Sequence, residues 1–135
     1  MKELEVNAEI ENLDAVLEFI GGEISGLLAK TRNKILIAAE EIFVNIALYA
    51  YKSGIGKAVI RIAGNGDTTI EFEDSGVPYD PLQKDDPDIT LSAEEREIGG
   101  LGIFMAKSLM DDISYRREGN KNILTIRKER GKVEA

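Results

Sequence analysis

Three short stretches decide how the rest of the chain reads: EEIFVNIALYAY at 40–51, EDSGVPYDP at 73–81 and GGLGIFMAKSLMD at 99–111. The first belongs to a helix expected over 31–51. At about 100° per residue, Ile35, Ala39, Ile42, Phe43, Ile46, Ala47 and Ala50 form one broad apolar side. Ile37, Val44 and Leu48 cover much of another, and a narrow stripe of Lys34, Glu41, Asn45 and Lys52 runs between them. A helix apolar almost all round is expected to be buried. Glu41 and Asn45 are one turn apart, so their side chains share one space. A carboxylate there can take a proton, and an amide oxygen can ligate Mg²⁺. The pair can equally be a solvated stripe on a packed helix.

The second stretch closes a strand expected over 68–74. Strand parity puts Asp74 on the face of Ile70 and Phe72, away from Glu71 and Glu73. A carboxylate on the core side needs a partner. A nucleobase amino group is one candidate, and the Asp-Ser-Gly turn that follows is the other. The third stretch opens a helix over 101–110. Its glycines allow close backbone approach, and a helix N-terminus offers free N–H groups to phosphate. A hinge and a helix cap would use the same residues.

Outward from these stretches, Leu4, Val6, Ala8 and Ile10 alternate with polar residues as a half-buried strand. A helix capped by Asn12 or Asp14 is expected to run to about residue 30, with Gly21 and Gly22 inside it. Strands at 58–62 and 68–74 flank the turn Gly64-Asn65-Gly66-Asp67, and a last hairpin joins 113–117 to 122–128. Residues 75–100 hold all three prolines and two acidic runs, as a binding loop or lid would. The order βα-α-ββ-lid-α-ββ lacks strict βαβ alternation. It predicts a two-layer α/β (α+β) sandwich over residues 1–135: a mixed, mostly antiparallel sheet with its helices on one face.

Composition narrows the chemistry. The chain has 135 residues, no Cys and no His, so disulfides, Cys/His zinc sites and a Ser-His pair are excluded. With 25 acidic and 17 basic residues the net charge is −8, which disfavours nucleic-acid binding. The late basic cluster of Arg116, Arg117, Lys121, Arg127, Lys128, Arg130 and Lys132 is interleaved with Glu118 and Glu129 and reads as a solvated edge and tail. No apolar run suggests a signal peptide or a membrane span, and with no Cys a cytoplasmic protein is expected.

The ordered set of Glu-x-x-x-Asn on a helix, Asp-x-Gly at a strand end and a glycine-opened helix resembles the GHKL ATPase superfamily, with its Bergerat ATP-binding fold. The spacing is most similar to the stand-alone anti-sigma-factor serine/threonine kinases. EEIFVNIALYAY resembles their Asn box and EDSGVPYDP their Asp-x-Gly box. GGLGIFMAKSLMD, followed by ISYRREGNKNILTIRK at 113–128, resembles their second glycine box and closing hairpin. The resemblance implies ATP and Mg²⁺ as cofactors. Asn45 would ligate the metal, and Glu41 would be the catalytic base. Asp74 would hydrogen-bond the adenine amino group with Gly76 beneath the ring. Gly100, Leu101 and Gly102 would lie against the phosphates under an ATP lid at 77–98. Thr125 matches a family Thr near the adenine. The implied partners are a sigma factor and an anti-anti-sigma protein of the STAS type, and family members are commonly homodimers. Tyr49 departs from the pattern, since the family usually carries His there. A nucleotide-gated binding module without kinase activity is the alternative, and a plain protein-binding domain the bland one.

Overall fold

The structure, a computed structural model, describes residues 1–51, 56–83 and 100–130. Five strands form one sheet: β1 (Lys2–Asn7), β2 (Lys57–Asn65), β3 (Asp67–Asp74), β4 (Asp112–Glu118) and β5 (Lys121–Lys128). Their spatial order is β1-β2-β3-β5-β4. All four pairings are antiparallel, so the sheet is more regular than the mixed one expected. Among the described residues three α-helices, α1 (Leu13–Glu23), α2 (Ala29–Tyr49) and α3 (Gly100–Leu109), complete the two-layer sandwich.

Side-chain alternation explains the layering. Ile60, Ile62, Ile70, Phe72, Leu124 and Ile126 point to one face and are buried against Val16, Ile20, Ile35, Ala39, Ile42 and Phe43 of α1 and α2. Truncating either core phenylalanine to Ala would remove about 3–5 kcal/mol. The opposite face is polar. Arg61 pairs with Glu73 at 3.0 Å, Arg116 with Glu71 at 3.1 Å and Lys121 with Glu73 at 3.4 Å. Arg127 pairs with Asp67 and Asp112. Much of the late basic cluster is thus spent on neighbouring carboxylates.

Three local expectations change. The first helix does not run to residue 30. It ends at Glu23, and Leu28 is extended (φ −60°, ψ 146°) before α2 begins. Arg32 holds the connection by donating to the carbonyls of Leu27 at 3.0 Å and Ser25 at 3.4 Å. Four glycine and serine positions in a row of six (21–26) make the break inexpensive. Ile10 is not a strand residue; it lies in a 3₁₀ turn, about half exposed. Nor is α2 buried all round, since Ile37 and Leu48 are exposed while Ile35, Ala38, Ala39, Ile42, Phe43 and Ile46 face the sheet. The β2–β3 turn matches expectation, with Gly66 at φ +90° taking the left-handed conformation the reversal needs. No helix among the described residues is long and apolar enough to cross a membrane.

Candidate functional site

A cleft opens between the C-terminal half of α2 and the ends of β3 and β5. It holds about 420 Å³ of empty space, counting the part open to solvent. Ile42, Ile46, Phe72 and Leu124 form its apolar floor. Asn45 and Asp74 contribute polar groups, and Tyr49, Val77 and Tyr79 stand at its mouth, each partly exposed.

Asp74 is buried, on the core side as its parity required. Its Oδ1 accepts the Gly76 N–H at 2.9 Å and an Asn122 Nδ2 hydrogen at 2.9 Å. Of the two partners weighed in the sequence, the turn is present, and Asp74 lines the cleft as well. Both contacts fall on Oδ1. Asn122 lies directly across from Asp74 in the β3–β5 register.

Gly76 is required by space. A β-carbon there would fall 2.0 Å from the Ala50 carbonyl oxygen, and that carbonyl accepts the Val77 N–H at 3.1 Å. Arg117 donates to the Gly76 carbonyl at 3.0 Å. Tyr51 ties the same turn to β2: its hydroxyl donates to the Lys57 carbonyl at 2.6 Å and accepts the Ser75 N–H at 2.9 Å. The end of α2, the start of β2 and the end of β3 are thereby held to one another.

Glu41 sits one turn before Asn45 on α2, half-buried. Burial raises its pKa above the ordinary carboxylate value, with the neighbouring Glu40 charge adding to the effect. A β-carbon on Gly102 would lie 2.5 Å from Glu41 Oε2. The bare α-carbon at the start of α3 thus leaves room for the carboxylate. Glu41 and Gly102 meet across α2 and α3, beside the cleft and off its lining. Gly100 and Leu101 form the first turn of α3. Gly99 and most of the expected lid, 84–98, lie outside the described residues. Of its described part, Val77, Tyr79 and Pro81 line the cleft.

Thr125 is not brought to the site. It sits in register with Glu71 and Ser114 on the polar face of the sheet, while Leu124 and Ile126 point inward. Its hydroxyl is buried and has no hydrogen-bond partner among the described residues. The residue beside Asp74 is Asn122, which the sequence reading missed. Parity with Leu124 and Ile126 gave its inward face, while its place across from Asp74 is set by the β3–β5 register.

Residues 6–128 match the family described as the histidine kinase-like ATPase domain. The chain belongs to that family. It is 28% identical over 101 residues to the serine/threonine-protein kinase BtrW of Bordetella bronchiseptica, covering 73% of this chain and 70% of BtrW. The solved RsbU and RsbW domains of Rv1364c from Mycobacterium tuberculosis share its fold with a TM-score of 0.62 at 15% identity. That match covers 96% of this chain and 32% of that one, so this chain spans about a third of the solved protein. The GHKL-type fold expected from the three boxes is the one observed.

The family's cofactor can be tested against the donors present. Among the described residues no group of three or more Asp or Glu could cage a metal. One amide oxygen from Asn45, with the Glu41 carboxylate a turn away, suits an ion that keeps waters and substrate phosphates as its other ligands, as Mg²⁺ does. The residues fit.

Proposed function

We propose that this chain is an ATP-binding anti-sigma regulatory factor that phosphorylates Ser or Thr on an anti-anti-sigma partner of the STAS type. The observation that supports it is the cleft with Asn45 and Asp74 on one lining and Glu41 one turn away against Gly102. The partner class comes from the resemblance of the three boxes to anti-sigma kinases, and the kinase similarity to BtrW agrees with it.

Each residue has a task in this reading. Asp74 Oδ2 accepts from the adenine amino group over the apolar floor of Phe72 and Leu124. Asn45 would hold Mg²⁺, which neutralises phosphate charge when bound. Glu41 takes the proton as the partner hydroxyl attacks the γ-phosphorus and the bond to ADP breaks. A raised pKa makes Glu41 a better proton acceptor than a surface carboxylate. Phosphoryl transfer depends mainly on positioning and charge neutralisation, so few side chains suffice.

Tyr49, at the mouth of the cleft where the family usually has His, favours a second reading: a nucleotide-gated binding module without transfer. Calorimetric titration of ATP with and without Mg²⁺, into wild type and Asp74→Asn, tests the shared part. Mg²⁺-dependent binding lost in the variant is expected; no binding by wild type overturns both readings. Incubation with radiolabelled ATP and a STAS-type protein then separates them. Labelled partner supports the kinase, and nucleotide-dependent association without label supports the gate.

A further inference from the structure

Asn122 is saturated by the protein itself. Its Nδ2 donates to Asp74 Oδ1 at 2.9 Å and to the Val77 carbonyl at 2.8 Å. Its Oδ1 accepts the Tyr79 N–H at 3.4 Å and the Tyr115 hydroxyl at 2.5 Å. An Asn side chain has two donor hydrogens and one oxygen with two lone pairs, and all four are used. The orientation of the amide follows from its neighbours. A carboxylate and a carbonyl can only accept, so they require the NH₂ group; a backbone N–H can only donate, so it requires the oxygen. The Tyr115 hydroxyl is thereby forced to donate.

We propose that Asn122 and Tyr115 are positioning residues that set which purine the cleft accepts. The inference rests on the nucleotide reading above and deepens it. Asn122 has nothing left to offer a ligand. Its effect is to hold Asp74 Oδ1 occupied and so aim Oδ2, an acceptor only, at the ligand. A base carrying an amino group at C6 satisfies that acceptor. A base carrying a carbonyl there sets oxygen against oxygen and leaves a buried polar group unpaired. Tyr115, on β4, acts one bond further out by keeping the Asn122 amide from turning over. Val77 and Tyr79 are drawn in by the same amide, so the aim of Asp74 and the placement of the loop at the mouth are set together.

The test uses ATP and inosine triphosphate, which differ at C6 by an amino group against a carbonyl. Wild type is expected to prefer ATP by on the order of 10²-fold in Kd. Asn122→Ser should shrink that ratio about tenfold, and Tyr115→Phe, which removes a single hydroxyl, about threefold in the same direction. A merely structural lesion would weaken both nucleotides together and leave the ratio unchanged. Either variant decides if the other fails to fold. Wild type that binds neither nucleotide overturns the ATP-binding reading itself. Wild type that binds ATP without discriminating, or variants that keep the wild-type ratio, overturns only this inference.

Discussion

The two ends of the cleft are built differently. At the Asp74 end nearly every polar group is tied to the protein. Asp74, Asn122 and Tyr115 are linked by hydrogen bonds of 2.5–2.9 Å, Tyr51 holds the Ser75 N–H at 2.9 Å, and the Gly76 carbonyl is held by Arg117. At the other end, neither the Glu41 nor the Asn45 side chain has a hydrogen-bond partner among the described residues, although both are half-buried. The Asp74 end is organised by the protein alone. The Glu41 end presents groups without protein partners among the described residues, and burial of Glu41 is what raises its pKa.

The largest effect expected from this contrast is on chemistry. Glu41→Gln should lower phosphate transfer by about 10²–10⁴-fold, the range for loss of a positioned base. On the proposed reading ATP affinity should change little, because the Asp74 end is untouched. Steady-state transfer assays beside calorimetry check this; retained transfer would move the base elsewhere.

The two close-packed glycines sharpen the comparison. Gly76→Ala drives a β-carbon into the Ala50 backbone, which cannot yield without shifting the end of α2. A loss of about 2–4 kcal/mol in denaturant unfolding is expected. Gly102→Ala meets only the tip of a side chain. Stability should hold or rise, since Ala exceeds Gly in helix propensity by about 1 kcal/mol. Transfer should still fall about tenfold because the Glu41 carboxylate is displaced. Equal stability losses in the two variants would erase the distinction between the ends.

The smallest effect is on pH dependence. The folded chain holds the Glu41 proton more tightly than the unfolded chain, whose value is near 4.5. Burial of the ionised form therefore subtracts stability above the raised pKa and subtracts none below the unfolded one. Thermal melts of Glu41→Gln and wild type should coincide in acid, with the variant more stable at neutral pH. The acid limb of wild-type transfer should lie above the ordinary glutamate range. A variant less stable than wild type at neutral pH would show that Glu41 has a compensating partner.

How far the sequence reaches differs between the same two regions. The inward face of Asp74 was legible because strand parity is a local rule, and the turn after it was legible from Asp-Ser-Gly. The identity of what approaches, the Ala50 carbonyl, is set by how α2 ends beside β3 and has no local signature. Ile37 and Leu48 were misjudged because α2 packs against the sheet along one side, and helical periodicity cannot tell a second apolar side from a covered one.

The sequence by itself determined the order of elements, the face of each strand residue and the pairing of Glu41 with Asn45, because each follows from periods of 2 or 3.6 along the chain. Only the tertiary structure decided that Asn122 rather than Thr125 lies beside Asp74. It also decided that Gly102 makes room for Glu41 and that Tyr51 bridges β2 and β3. These facts depend on strand register for the first, on the packing of α2 against α3 for the second and on where α2 ends beside the sheet for the third; they bring together residues 48, 61 and 24 positions apart, and no local period encodes such distances.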